Sequence, residues 1–253
     1  MVLVHPTDDL NDLTRIVASR FVETVAHIQT DATGVSQDGF ARVVLTGGTA
    51  GIAVLKRIAE LDRAAQIQAD SFPIAAIDWT RVHVFFGDER VVPVDDSESN
   101  EGQARQSLLE HVNIPDENIH GYEACSHSLE ESAERYAQLI KKYAPDGFDI
   151  HLLGMGHEGH INSLFPHTPA TAEKKRLTAA VEDSPKPPAQ RLTLTLPAVN
   201  TAARVWLLVS GSEKAEAVQA LVDGAETSEW PVVGAHGRDE TVLFVTPDAA
   251  PSA

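Results

Sequence analysis

Short, almost wholly apolar runs recur along this chain with helical patterns between them, and that alternation leaves few folds open. Ala41–Thr46 (ARVVLT), Arg81–Phe86 (RVHVFF), Ile150–Leu153 (IHLL) and Arg204–Val209 (RVWLLV) are the clearest of these runs. A strand that is apolar on both sides cannot leave one face in water, so the sheet it joins must be covered above and below. Strands of this kind alternating with helices indicate an α/β fold, a doubly wound, mainly parallel sheet with helices on both faces. Further strands are expected at Val2–Val4, Leu177–Val181, Arg191–Thr195 and Thr241–Thr246.

The intervening helices have their own signatures. Asp8 and Asp9 offer an N-cap for a helix running to about Gln29, with Leu10, Leu13, Val17, Phe21 and Val25 on one face. Others are expected from Ile52 to about Leu61, Glu101 to Val112, Leu129 to Tyr143, and after Gly211 to about Leu221. Residues 62–79 are less regular, and residues 91–100 (VVPVDDSESN) read as a polar loop. SPKPPAQ at 184–190 is a rigid, proline-rich excursion. With no low-complexity linker, fixed-period repeat or composition break, residues 1–253 are expected to form one domain.

Charge narrows the partners. The formal net charge is −17, which argues against nucleic acid and anionic membrane surfaces. Positive charge for an anionic ligand would therefore have to be gathered locally. No apolar run approaches the roughly 20 residues that span a bilayer. The acidic N-terminus lacks the basic-then-apolar order of a signal peptide, and the single cysteine, Cys125, excludes an internal disulfide. A cytoplasmic location is the expectation.

The chemistry concentrates at strand ends. Phe148 to His167 reads FDIHLLGMGHEGHINSLFPH: a buried strand, then Gly154, Gly156 and Gly159 within six residues, with His157, Glu158 and His160 set in that turn. Open α/β sheets bind ligands in loops at the carboxyl ends of their strands. GMGHEG matches a dinucleotide fingerprint, but that reading requires an unbroken crossover helix, and Pro166 and Pro169 follow too soon. A metal site is suggested by His151, His157, His160 and His167, yet the HEGH spacing is not the i,i+4 of a zincin helix, and His151 reads as a hydrogen-bonded core histidine. Acid–base chemistry by His160, oriented by Glu158 two residues away, is the third reading. Gly47-Gly48-Thr49 between strand and helix is a plausible anion cradle, repeated with a lysine in Gly211-Ser212-Glu213-Lys214. Gly87-Asp88-Glu89-Arg90 adds charge at another strand end. Each alone has a bland reading as an ordinary turn or surface pair; together they suit one phosphorylated small molecule.

Four stretches, LTGGTA at 45–50, FGDERVVPVDDSESN at 86–100, LLGMGHEGHINSLFP at 152–166 and SPKPPAQRLTLTLPAVN at 184–200, closely resemble the 6-phosphogluconolactonase family, in that family's order. The resemblance extends from about residue 5 to 247. It implies a Rossmann-like fold and hydrolysis of 6-phosphoglucono-1,5-lactone to 6-phosphogluconate in the oxidative pentose phosphate pathway, with no metal and no organic cofactor. It makes His160 the base that activates water, Glu158 its orienting carboxylate in place of the family's usual aspartate, and Asp88 a supporting acid. Gly47, Gly48, Thr49, Arg90, Asn162, Arg191 and Lys214 match the positions that bind phosphate and sugar, and His157 receives no catalytic role. The partner implied is a phosphorylated sugar lactone, the protein being a monomer or weak homo-oligomer. The rival is the related isomerase/deaminase branch, which carries a glutamate five residues after the catalytic histidine, where this chain has Phe165. A non-catalytic sugar-phosphate-binding regulator would be expected to lack the Glu158/His160 pair or to carry a DNA-binding module.

Overall fold

β1 (Val2–Pro6) opens the chain in the computed structural model, which describes residues 1–68 and 75–251. α1 (Leu10–Asp31) follows, its first turn capped by the Asp9 side chain, which accepts from the Asp12 amide at 2.8 Å. A cap of this type stabilises a helix by about 1 kcal/mol. β2 (Ala41–Leu45) runs into α2 (Gly48–Gln68), and all five β2 residues are buried, as a strand covered on both faces requires. α2 begins at Gly48, four residues before the expected start, so the glycines form its first turn. Part of the irregular 62–79 stretch, residues 69–74, lies outside the described residues.

β3 (Val82–Phe86) is followed by β4 (Asp88–Arg90), α3 (Asn100–Ser107), α4 (Leu129–Tyr143) and β5 (Ile150–Gly154). Then come α5 (Pro169–Ala172), β6 (Thr178–Val181), β7 (Arg191–Leu194), α6 (Leu196–Val199), β8 (Arg204–Val209), α7 (Ala215–Asp223) and β9 (Glu240–Val245). The helix expected from Glu101 to Val112 ends early at Ser107 and continues as a separate 3-10 turn at Leu109–His111.

The principal sheet has six strands in the order β1-β9-β8-β5-β2-β3, every pair parallel. The doubly wound α/β expectation holds, and β5 lies inside the sheet between β8 and β2. A second, three-stranded sheet, β4-β7-β6, is antiparallel and was not separated from the first by the sequence pattern. Its register sets Arg90 opposite Arg191 and Asp88 opposite Thr193. α1 packs on α2, and α4 packs on β6 and β7. The Tyr136 hydroxyl of α4 accepts from the Phe86 amide at 2.7 Å and donates to the Phe86 carbonyl at 3.1 Å, holding the end of β3. Apolar side chains of both sheets belong to one continuous core. Among the described residues no helix is long and apolar enough to cross a membrane.

Candidate active site

A cavity opens at the carboxyl edge of the parallel sheet, where the segments after β2, β3, β5 and β8 converge. Gly47, Gly48 and Thr49 line one wall and turn the amino end of α2 toward it. Helix N-termini carry free N–H groups and partial positive charge, which suits an anion. Arg90 and Arg191 come from the small sheet, and Lys214 from the 3-10 turn after β8. Burial pulls the Lys214 ammonium below the ordinary lysine range; Glu213 acts the other way, and the Lys186 charge adds to the lowering.

His160 lies across the cavity on the loop after β5. That loop closes on itself: the Gly156 amide donates to the His160 carbonyl at 2.9 Å, and the Gly159 amide to the Gly156 carbonyl at 3.0 Å. A Cβ on Gly156 would stand 2.0 Å from His160 Nδ1, so only glycine leaves room for the ring. One face of the imidazole stacks on Phe165, centroids 4.6 Å apart. His160 Nδ1 is 3.2 Å from Glu158 Oε2, and Glu158 also takes Lys186 Nζ at 3.0 Å on Oε1 and 3.1 Å on Oε2. Partial burial works to raise the Glu158 carboxyl, but hydrogen bonds from His160, its own backbone amide and Lys186 outweigh it and hold the group below the usual carboxylate range. His157 reaches the same Oε2 at 3.2 Å from an exposed position.

Asp88 is buried and accepts from Ser163 Oγ at 2.6 Å on Oδ2 and from Asn100 Nδ2 at 2.9 Å on Oδ1. Asn100 is set by the neighbouring Glu89, whose buried carboxylate accepts from the amides of Asn100 and Glu101 at 2.8 Å and from Ser99 Oγ at 3.0 Å. Glu89 thus caps α3 from another strand; burial raises its carboxyl against those bonds. Asn162 has a backbone φ of +49°, and neither amide atom of its buried side chain has a partner among the described residues. Gly87 makes space for it, since a Cβ there would meet Asn162 Oδ1 at 2.2 Å. An unpaired buried amide beside a cavity has its donors and acceptor available to a ligand.

The ten residues to which the family resemblance assigns a catalytic or binding role therefore all line the cavity or, for Glu158, hold a residue that does. They are not equally free. The Arg191 guanidinium donates through Nε to Pro188 O and through Nη2 to the carbonyls of Lys186 and Pro187, all at 3.1 Å, so a good part of it serves the 184–190 loop. Arg90 gives Nη1 to Glu98 O at 2.6 Å. Sequence reasoning missed Asn100, Ser163 and Lys186; the Ser-Asn pair closing the polar loop and the lysine in the proline excursion were the available signals. The expectation that His151 is a hydrogen-bonded core histidine fails in one respect: it is fully buried, but neither ring nitrogen has a partner among the described residues, and burial pushes it down to about 3, keeping it neutral. Among the described residues no three His, Cys, Asp or Glu side chains stand where they could hold a metal ion.

Comparison with known proteins places this geometry. The family described as glucosamine-6-phosphate isomerases/6-phosphogluconolactonase matches residues 9–244. A 6-phosphogluconolactonase of Mycobacterium tuberculosis is 48% identical over 225 residues, covering 85% of this chain and 86% of the relative. One from Streptomyces coelicolor is 35% identical, covering 98% of this chain and 93% of the relative. The crystal structure of 6-phosphogluconolactonase from Thermotoga maritima superposes with a TM-score of 0.79 at 28% identity, over 97% of this chain and all of that one (100%). With the parallel sheet, the glycine cradle and the Glu158–His160 loop in place, the chain belongs to the glucosamine-6-phosphate isomerase/6-phosphogluconolactonase family.

Proposed function

We propose that the protein hydrolyses 6-phosphoglucono-1,5-lactone to 6-phosphogluconate, as one domain, a monomer or weak homo-oligomer, in the cytoplasm. The observation that carries the reading is the Glu158–His160 contact of 3.2 Å in a cavity walled by a helix amino end and basic side chains. With Nδ1–H donated to Glu158, the lone pair on Nε2 is free to take a proton from water. The hydroxide so formed adds to the lactone carbonyl; collapse of the tetrahedral intermediate breaks the bond from C1 to the ring oxygen, and imidazolium returns its proton to that oxygen. One water is consumed and no redox change occurs. Phosphate held by the α2 amino end, Lys214 and the arginines supplies remote binding energy that fixes the carbonyl against His160. Asp88, anchored by Ser163 and Asn100, suits a hydroxyl of the sugar.

Phe165 favours this reading over the isomerase/deaminase branch. The position where that branch carries a glutamate holds an apolar ring stacked on His160, with no group to move a second proton. The test is hydrolysis of freshly generated 6-phosphogluconolactone, followed by coupling the product to its dehydrogenase, with spontaneous opening subtracted and chelator present. Rapid hydrolysis above background supports the reading. Turnover of glucosamine 6-phosphate with none of the lactone would overturn it.

A further inference from the structure

Lys186 stands in the centre without having been assigned any part in it. Its Nζ lies 3.0 and 3.1 Å from the two Glu158 oxygens and 3.4 Å from His160 Nδ1. It arrives there from a surface loop, and the loop is fixed from below. Buried Arg191, anchored in β7, donates to the carbonyls of Lys186, Pro187 and Pro188, so three consecutive peptides are tied to the sheet. A flexible lysine stem thus starts from a set position.

The arrangement answers a physical difficulty. A carboxylate beside an imidazole does two things: it orients the ring by accepting Nδ1–H, and it stabilises the imidazolium, which would occupy the lone pair that a base needs. A cation on the same carboxylate keeps the first effect and offsets the second. An ammonium has donors only, so beside Nδ1 it also opposes a second positive charge on the ring. Glu158 and, across it, His157 face His160 from its own loop; Lys186 faces it from the 184–190 loop. Arg191 stands behind the Phe165 ring, while Asp88 and Lys214 share the cavity wall. Of these, Lys186 is the cation in contact with both members of the pair.

We propose that Lys186 is a positioning residue of this centre: its ammonium, delivered by the Arg191 clamp, neutralises Glu158 enough that Glu158 orients His160 without holding a proton on it. The inference rests on the reading of His160 as the base. Its first test does not require turnover. The His160 ring is titrated by NMR in isotopically labelled protein, its resonance assigned by loss in His160→Ala, and wild type is compared with Lys186→Met and Lys186→Arg. The midpoint should move up by about one pH unit in Lys186→Met and return in Lys186→Arg, as expected for removing one close like charge. The acid limb of kcat/KM should move with it. An unmoved midpoint overturns the proposal, and so does a rise in KM alone, which would make Lys186 simply a ligand for substrate. Absence of lactone hydrolysis in wild type would sink the proposed function but leave the NMR comparison able to decide the Lys186 coupling.

Discussion

The two edges of the parallel sheet both gather titratable groups, yet only one has the form of a site. At the amino edge, His83 Nδ1 and His120 Nε2 are 3.1 Å apart, packed among Phe40, Phe85 and Tyr143. Arg42 there donates to Asp38, Phe40 O and Tyr143 O, and the Asp149 carboxylate accepts from the amides of Val35 and Arg42. Every partner in that cluster is internal. Burial, then the neighbouring His83 and Lys142 charges, push His120 down to about 4; burial and Arg42 push His83 down as well. At the carboxyl edge the imidazole instead has a carboxylate on one nitrogen, an apolar ring beneath it and a cavity beside it. A histidine cluster becomes chemical machinery when an anion orients it and it opens onto space. Without those it is a neutral part of the packing.

Removing each imidazole should separate the two edges most sharply. His160→Ala is expected to lower kcat by roughly 10²–10⁴, the usual contribution of a positioned acid–base group. His120→Leu should leave kcat within about a factor of two, because it touches neither ligand nor reacting atoms. Turnover of His160→Ala near that of wild type would remove the distinction altogether.

Next in size are the basic residues of the cavity. Lys214→Ala should raise KM for the phosphorylated lactone roughly ten- to hundredfold with kcat little changed, the loss expected for one charge-assisted hydrogen bond. Arg191→Met should damage kcat as well, since the loop that carries Lys186 loses its clamp. If the two variants show the same KM-only effect, the division of labour between them is wrong. An unchanged preference over unphosphorylated gluconolactone would remove Lys214 from the phosphate.

The amino edge should report through stability. His120 is depressed to about 4 when folded, against about 6.5 for an unperturbed histidine when unfolded. The unfolded chain therefore binds protons first as pH falls, and stability is lost progressively from about pH 6.5 toward 4. His83 adds in the same direction, and so does His151. The midpoint of urea unfolding should fall between pH 7 and 5, and His120→Leu should fall less steeply. Parallel curves for the two proteins would show that this pair does not carry the pH dependence.

The same contrast explains what the sequence made legible. β2, β5 and β8 are buried on both faces, so apart from Arg42, His151 and Arg204 their runs are apolar and need no partner to be recognised. β4 is Asp-Glu-Arg; no local signal marks three charged residues as a strand, and only pairing with β7 makes them one. The glycines of the site announce themselves because turns and close approaches need them locally. Asn100, Ser163 and Lys186 do not, since each acquires its part from residues 12, 75 and 28 positions away: Asp88, Asp88 and Glu158. His151 and His160 are both histidines of one glycine-rich stretch, nine positions apart in the sequence. What separates them is depth in the sheet, which three-dimensional pairing decides.

His157 supplies the smallest effect and the finest division within the carboxyl edge. It shares Glu158 Oε2 with His160 at the same 3.2 Å, so distance alone does not rank the two. Exposure does: the His157 side chain is 62% accessible and that of His160 18%. An exposed ion pair contributes at most about 1 kcal/mol, and less in salt. His157→Ala should therefore change kcat/KM by less than about fivefold, with the residual effect fading as ionic strength rises. A loss approaching that of His160→Ala would mean that Glu158 is oriented from the solvent side, and the orienting contact would have to be reassigned from the loop interior to its surface.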